Sequence, residues 1–244
     1  MKTLFKVITI CVLTIGFVSS CTLYQGDSIK PSKNRITRTY RVTDFNKVEI
    51  NTVADVNYRQ STDGAVSVEI NGSDNIVALM KVNVKNNLLT ISASEKFRLN
   101  KKNVTISIIS PQLNSVSFKG VGNFSVKDSL IVDDLYMENK GVGDIFVDHL
   151  RGNKVTIYSS GVGNVTLKGE VNEAYLNSKG VGNIEAESLI ANKVDAHAKG
   201  IGDIKCYATS AINASSKGIG SISYKGNPSM KNINKKGIGT ISHN

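Results

Sequence analysis

Apolar residues recur along this chain at intervals of two, in short sets cut by polar or glycine-bearing breaks. Val48 and Ile50 are separated by a charge, and Val66, Val68 and Ile70 alternate cleanly. So do Val82 and Val84, then Leu89, Ile91 and Ala93, then Val104, Ile106 and Ile108. A period of two with β-branched content predicts strands. Lys85-Asn86-Asn87, between two of these runs, predicts a tight turn, because Asn tolerates positive φ. From Lys119 onward the sets repeat on a longer scale. One set, such as Val121, Phe124 and Val126, opens each unit. A second closes it: Leu135 and Met137, Val155 and Ile157, Ala174 and Leu176, Val194 and Ala196. Polar bends lie between, among them Lys127-Asp128-Ser129, Lys168-Gly169-Glu170 and Gly226-Asn227-Pro228. Each unit therefore reads as strand, bend, strand, bend, and no helix is needed after residue 20.

A glycine triplet marks every unit. The pairs Gly120 and Gly122, Gly141 and Gly143, Gly161 and Gly163, Gly180 and Gly182, Gly200 and Gly202, Gly218 and Gly220, and Gly237 and Gly239 each flank one Val or Ile. Their spacings are 21, 20, 19, 20, 18 and 19 residues. Behind each stands Asn123, Asp144, Asn164, Asn183, Asp203, Ser221 or Thr240, then an apolar residue. Strict alternation would make 121, 123 and 125 apolar, whereas 121, 124 and 126 are. The extra residue must be absorbed by a corner, where Gly and Asx accept left-handed backbone. The unit is too short for a four-stranded propeller blade and lacks the helix of a leucine-rich repeat. A lone coil has no partners for its backbone and no second packing surface, and stacking supplies both. The predicted fold is all-β, a single-stranded right-handed parallel β-helix with about 20 residues per coil and ~4.8 Å between coils.

Residues 119–244 form the seven repeats, and 40–118 read as diverged coils that cap them. The segment Val53-Ala54-Asp55-Val56-Asn57-Tyr58 matches Val121-Gly122-Asn123-Phe124-Ser125-Val126 in apolar spacing, a degenerate copy of the corner.

At Phe118-Lys119-Gly120-Val121-Gly122-Asn123 and its copies the chain resembles the head GIN domain family of adhesin-like proteins. The resemblance covers residues from about 40 to the end. It implies an exported bacterial protein with a right-handed β-helix, an envelope location and an adhesive role, and it brings no catalytic residues.

Residues 1–20 read as an export signal: Lys2 and Lys6, an apolar run from Val7 to Phe17, then small residues. Val18-Ser19-Ser20-Cys21 resembles the lipobox of bacterial lipoproteins. That implies cleavage before Cys21, lipidation of its sulfur and anchoring in a membrane, since stable anchoring takes more than one acyl chain. Thr22 in place of Asp points to the outer membrane. Residues 21–39 are polar and aperiodic and read as a flexible tether. Cys11 leaves with the leader, so only Cys206 remains, at an apolar position of its repeat. No intramolecular disulfide is available.

The formal net charge of +10, or +8 without the leader, favours anionic partners. Part of it forms a row: Lys119, Lys140, Lys179, Lys199, Lys217 and Lys236 precede six of the seven triplets, with Ser160 at the other. Sharing one phase, they would form a basic ridge for an anionic glycan or another envelope polyanion. The plainer reading is a solvated row copied by duplication that discourages strand pairing. No nucleic-acid partner is expected. The Asx column carries too few carboxylates for a calcium site and reads as amides stacked along the axis. Enzymes on this scaffold need clustered carboxylates and a basic group. Here Asp133-Asp134 is the lone Asp pair of the repeats, Arg151 their lone Arg, and His149, His197 and His243 differ in phase. The expectation is a non-catalytic binding or adhesion protein without cofactor or metal. A carbohydrate-active enzyme and a structural envelope spacer are the alternatives. The last coil, bare at Thr240-Ile241-Ser242-His243-Asn244, also suggests end-to-end association of copies.

Overall fold

The computed structural model describes residues 27–94, 97–98 and 104–244. The expected leader and Cys21, the expected lipidation site, lie outside the described residues. In chain order the first half holds β1 (Asp27–Ser28), β2 (Arg35–Tyr40), β3 (Lys47–Asn51), β4 (Asp55–Gln60) and β5 (Ser67–Ser73). A short helix, α1 (Asp74–Val77), follows, then β6 (Met80–Lys85), β7 (Leu88–Ala93), β8 (Phe97–Arg98), β9 (Thr105–Ser110) and β10 (Ser115–Phe118). Five long strands come next: β11 (Phe124–Asn139), β12 (Ile145–Ser159), β13 (Val165–Ser178), β14 (Ile184–Ala198) and β15 (Ile204–Ser216). The chain closes with β16 (Ile222–Lys225), β17 (Met230–Lys235) and β18 (Ile241–His243).

The long strands stack in parallel, with Phe124 beside Ile145, Ile145 beside Val165, Val165 beside Ile184 and Ile184 beside Ile204. The result is a parallel β-solenoid of about six turns with about 20 residues per turn. In β11 to β15 the polar bends do not break the strands, contrary to the strand, bend, strand, bend reading, whereas Gly226-Asn227-Pro228 does separate β16 from β17. Pairing runs through them with a register shift, as between Val126 and Ser129. A bulge turns the wall while the backbone on both sides stays hydrogen-bonded.

Inside, one row of fully buried side chains follows the first six corners, Phe124, Ile145, Val165, Ile184, Ile204 and Ile222, and Ile241 after the seventh is half-buried. A facing row of Met137, Ile157, Leu176, Ala196 and Ala214 is also buried, and its side chains shrink toward the C-terminus. Phe118 and Phe124, the largest of the fully buried side chains, lie at the first of these coils.

The degenerate corner is real. Val53 bridges Val121, and Val56, Asn57 and Tyr58 pair with Phe124, Ser125 and Val126. Strands β7 and β9 add a partial coil in parallel on β3 and β4. The rest of the first half departs from diverged coils, because β6 pairs antiparallel with β7, and β5 antiparallel with β9 and β2. These strands cover the outer edges of β7 and β9, which is what a cap must do. Asn86 and Asn87, at φ 52° and 60°, make the two-residue turn between β6 and β7 as expected. Two expectations need correction. Helix α1 adds one turn of helix. The folded part also begins before residue 40, since Arg35–Tyr40 is a strand on β5 and Asn34 Nδ2 donates to Asp74 at 2.8 Å. All described elements lie from Asp27 onward, and none of their helices is long and apolar enough to cross a membrane.

Candidate functional site

Each triplet is a corner pressed flat against the coil beneath. The N–H of the central residue donates down to the first glycine of the preceding coil, as Val162 to Gly141 and Val181 to Gly161, both at 2.9 Å. The second glycine donates up, as Gly143 to Val162 O at 2.8 Å. Packing this close leaves no room for a Cβ: on Gly161 it would run into the Gly141 carbonyl oxygen. Six of the seven second glycines also hold φ between +133° and +139°, a region that L side chains rarely adopt.

The next residue builds a ladder along the whole solenoid. The Asn123 N–H donates to Asp55 Oδ1 at 2.9 Å, Asp144 N–H to Asn123 Oδ1 at 3.2 Å and Asn164 N–H to Asp144 Oδ1 at 2.7 Å. The Asn183, Asp203 and Ser221 N–H groups continue it at 3.0, 2.9 and 2.7 Å, and Thr240 N–H ends on Ser221 Oγ at 3.1 Å. Each side chain thus satisfies the main-chain donor of the coil above. The sequence suggested amides bonded to one another. The main link is instead side-chain oxygen to backbone N–H, which needs only an acceptor and so admits Asn, Asp or Ser alike.

On one flank stand the lysines, fixed in phase by backbone bonds such as Lys179 N to Ser159 O and Lys199 N to Ser178 O, both 2.7 Å. All six are exposed. Lys119 pairs with Glu49 at 2.7 Å and Lys140 with Glu138 at 2.8 Å, and the Glu138 carboxylate raises the Lys140 pKa. Among the described residues, Lys179, Lys199, Lys217 and Lys236 have no ion pair.

Between the glycines, the central residues face out. Val121 had been grouped with the buried Phe124 and Val126, but it is 39% exposed, and exposure along the column reaches 73% at Ile238. They stack one above the next through single parallel bridges from Val53 to Ile238. The edge of the solenoid is therefore an aliphatic crest with lysines along one side and the acceptor ladder along the other.

Residues 44–228 match the model of the family described as "Putative auto-transporter adhesin, head GIN domain". The chain belongs to the head GIN domain family. No curated protein matches it. Among solved structures it is similar to one from Bacteroides fragilis NCTC 9343 described as a "putative adhesin", at 48% identity and TM-score 0.87 over 89% of this chain and 100% of that one. A Parabacteroides distasonis ATCC 8503 structure described as a "putative lipid binding protein" (20% identity, TM-score 0.70) covers 88% of this chain and 99% of its own. A "putative adhesin" from Parabacteroides merdae ATCC 43184 (22% identity, TM-score 0.68) covers the same shares. At those identities the last two show the fold alone.

The remaining candidates in this head GIN domain are scattered. His149 pairs across with Ser129, His197 with Asn177 and His243 with Tyr224, which puts them in three different columns. Cys206 is buried, and burial pushes its thiol pKa up to about 12, so it stays protonated at neutral pH. One feature escaped the sequence reading. Tyr136, Tyr158, Tyr175 and His197 pack in a zigzag with ring centroids 5.6, 5.5 and 5.4 Å apart. They alternate between the outward columns on either side of Met137, Ile157, Leu176 and Ala196, so only laying the repeats in register would have revealed them.

Proposed function

We propose that this chain is a lipid-anchored, non-catalytic envelope protein whose solenoid presents its lysine row to an envelope polyanion such as an acidic glycan. The supporting observation is the run of four exposed, unpaired lysines on successive coils, Lys179, Lys199, Lys217 and Lys236. Ammoniums whose Cα atoms are ~5 Å apart repel one another. An anionic polymer laid along the row relieves that repulsion and releases its own counterions. Anchoring through Cys21 would hold the solenoid at a membrane, and the family's adhesin description agrees with a surface role.

Two measurements test this. Heparin, as a model polyanion, should bind the parent in a salt-dependent way. Lys179→Gln/Lys199→Gln/Lys217→Gln together should weaken it about tenfold or more, each removed charge costing a few tenths to ~1 kcal/mol. Unchanged affinity, or binding indifferent to salt, would remove the polyanion reading. Labelled fatty acid should enter the parent in a bacterial host and be absent from Cys21→Ser; equal labelling would refute the anchor.

A further inference from the structure

The lysine row alone does not explain the crest beside it. Val53, Val121, Val142, Val162, Val181, Ile201, Ile219 and Ile238 form the column, and its seven members from Val121 onward are 39% to 73% exposed. Stacking at a corner favours β-branched side chains, but Thr has that shape and would keep the edge wet. All eight positions are nevertheless aliphatic. The glycines on either side carry no side chain to shield them. Exposed apolar surface lined up in this way marks a contact site.

We infer that this edge docks lengthwise on a lipid bilayer bearing anionic head groups, with the crest in the head-group boundary and the lysines on the phosphates. The inference rests on reading the lysine row as a binding surface, and it names the partner. From Val121 to Ile238 the crest spans six coil steps, about 29 Å. It repeats every coil without a dominant anchor or deep socket. A protein partner needs such anchors for specificity, whereas a fluid bilayer needs only apolar side chains that reach the acyl boundary and cations at phosphate level. Where Ser160 interrupts the row, a trough of about 430 Å³ opens, lined by Lys140, Val142, Val162 and Lys179. A phosphate head group seated there would meet the Lys179 ammonium on one side and that of Lys140, which pairs with Glu138, on the other. A free acidic glycan matches the lysines but gains nothing from eight aliphatic side chains. Crest-to-crest pairing of two copies would crowd two lysine rows, four members of each without an ion pair among the described residues, into one drying seam.

The chain begun at Thr22, which keeps all described strands, is titrated with phosphatidylcholine vesicles, with vesicles that also contain phosphatidylglycerol, and with heparin. It should bind the anionic vesicles at least about tenfold more tightly than the neutral ones. Val181→Thr/Ile201→Thr/Ile219→Thr keeps the β-branched shape, and an unchanged strand signal in circular dichroism and unchanged melting verify its fold. This variant should lose anionic-vesicle affinity by about tenfold or more while heparin affinity holds. The chain has no Trp, so Ile201→Trp gives a clean reporter. Its emission should shift to the blue on anionic vesicles, while Ile131→Trp, exposed on β11 beyond its polar bend and away from the crest, should not. Vesicle binding by the crest variant equal to the parent's, or a still emission from Ile201→Trp, overturns the docking and leaves the polyanion reading in place. Heparin affinity that survives the three lysine changes overturns the polyanion reading, and the docking with it.

Discussion

Gly182→Ala is expected to destabilise the protein by about 4 kcal/mol or more, a large share of the roughly 5–15 kcal/mol that holds a domain folded. Two costs add at this position. The backbone sits at φ +133°, where a side chain is strained by roughly 1–3 kcal/mol. The new Cβ also meets the Gly163 carbonyl oxygen and carbon, backbone atoms that no rotamer change can move aside. Separating them would lift this coil from the one beneath and stretch the bonds from Gly163 N to Val181 O (2.9 Å) and from Val181 N to Gly161 O (2.9 Å). Gly64→Ala isolates the first cost, since Gly64 has φ +79° but nothing near its missing Cβ. It should cost about 1–2 kcal/mol. Urea denaturation of both variants checks the difference. Equal, small shifts would mean that the corners do not press on one another.

Phe124→Ala should cost about 3–5 kcal/mol. Phe124 is fully buried and lies in register between Val56 of the degenerate coil and Ile145 of the next coil. Its loss empties the seam where the degenerate coil meets the first full one, and neither neighbouring backbone can collapse into the space without giving up its ladder. Phe146→Ala, one residue beyond Ile145 on the outward, half-buried side, should cost under about 1 kcal/mol. Similar losses for the two would contradict the inside-outside assignment of the wall.

The solenoid was legible because its determinants are local and repeated. A glycine pair at a fixed phase states that backbone presses on backbone, and the extra residue at Gly122-Asn123 states that the wall turns there. Even the eroded copy at Val53-Ala54-Asp55 carried enough of that pattern to be placed beneath Val121. The antiparallel cap was not legible, because β5 and β6 show the same alternation as a parallel strand and direction leaves no mark on periodicity. Helix α1 is too short to show a helical period. Strand β2 is exposed or half-exposed throughout, with only Ile36 and Tyr40 packed against the core, so its sequence reads as a tether. The crest was misplaced because apolar character was equated with burial. Val121 precedes the turn and Phe124 follows it, so the same corner sends one out and the other in.

The central claim is that the glycine corners lie in one straight file along an edge. Nitroxide labels test it in the chain begun at Thr22 with Cys206→Ala, by pairing Lys119→Cys with Lys199→Cys, Lys217→Cys or Lys236→Cys. Pulsed electron spin resonance should give mean distances near 19, 24 and 29 Å, rising by about 4.8 Å per coil. Distances that fail to rise in equal steps, or that fall as the sequence separation grows, would contradict the file and every surface built on it.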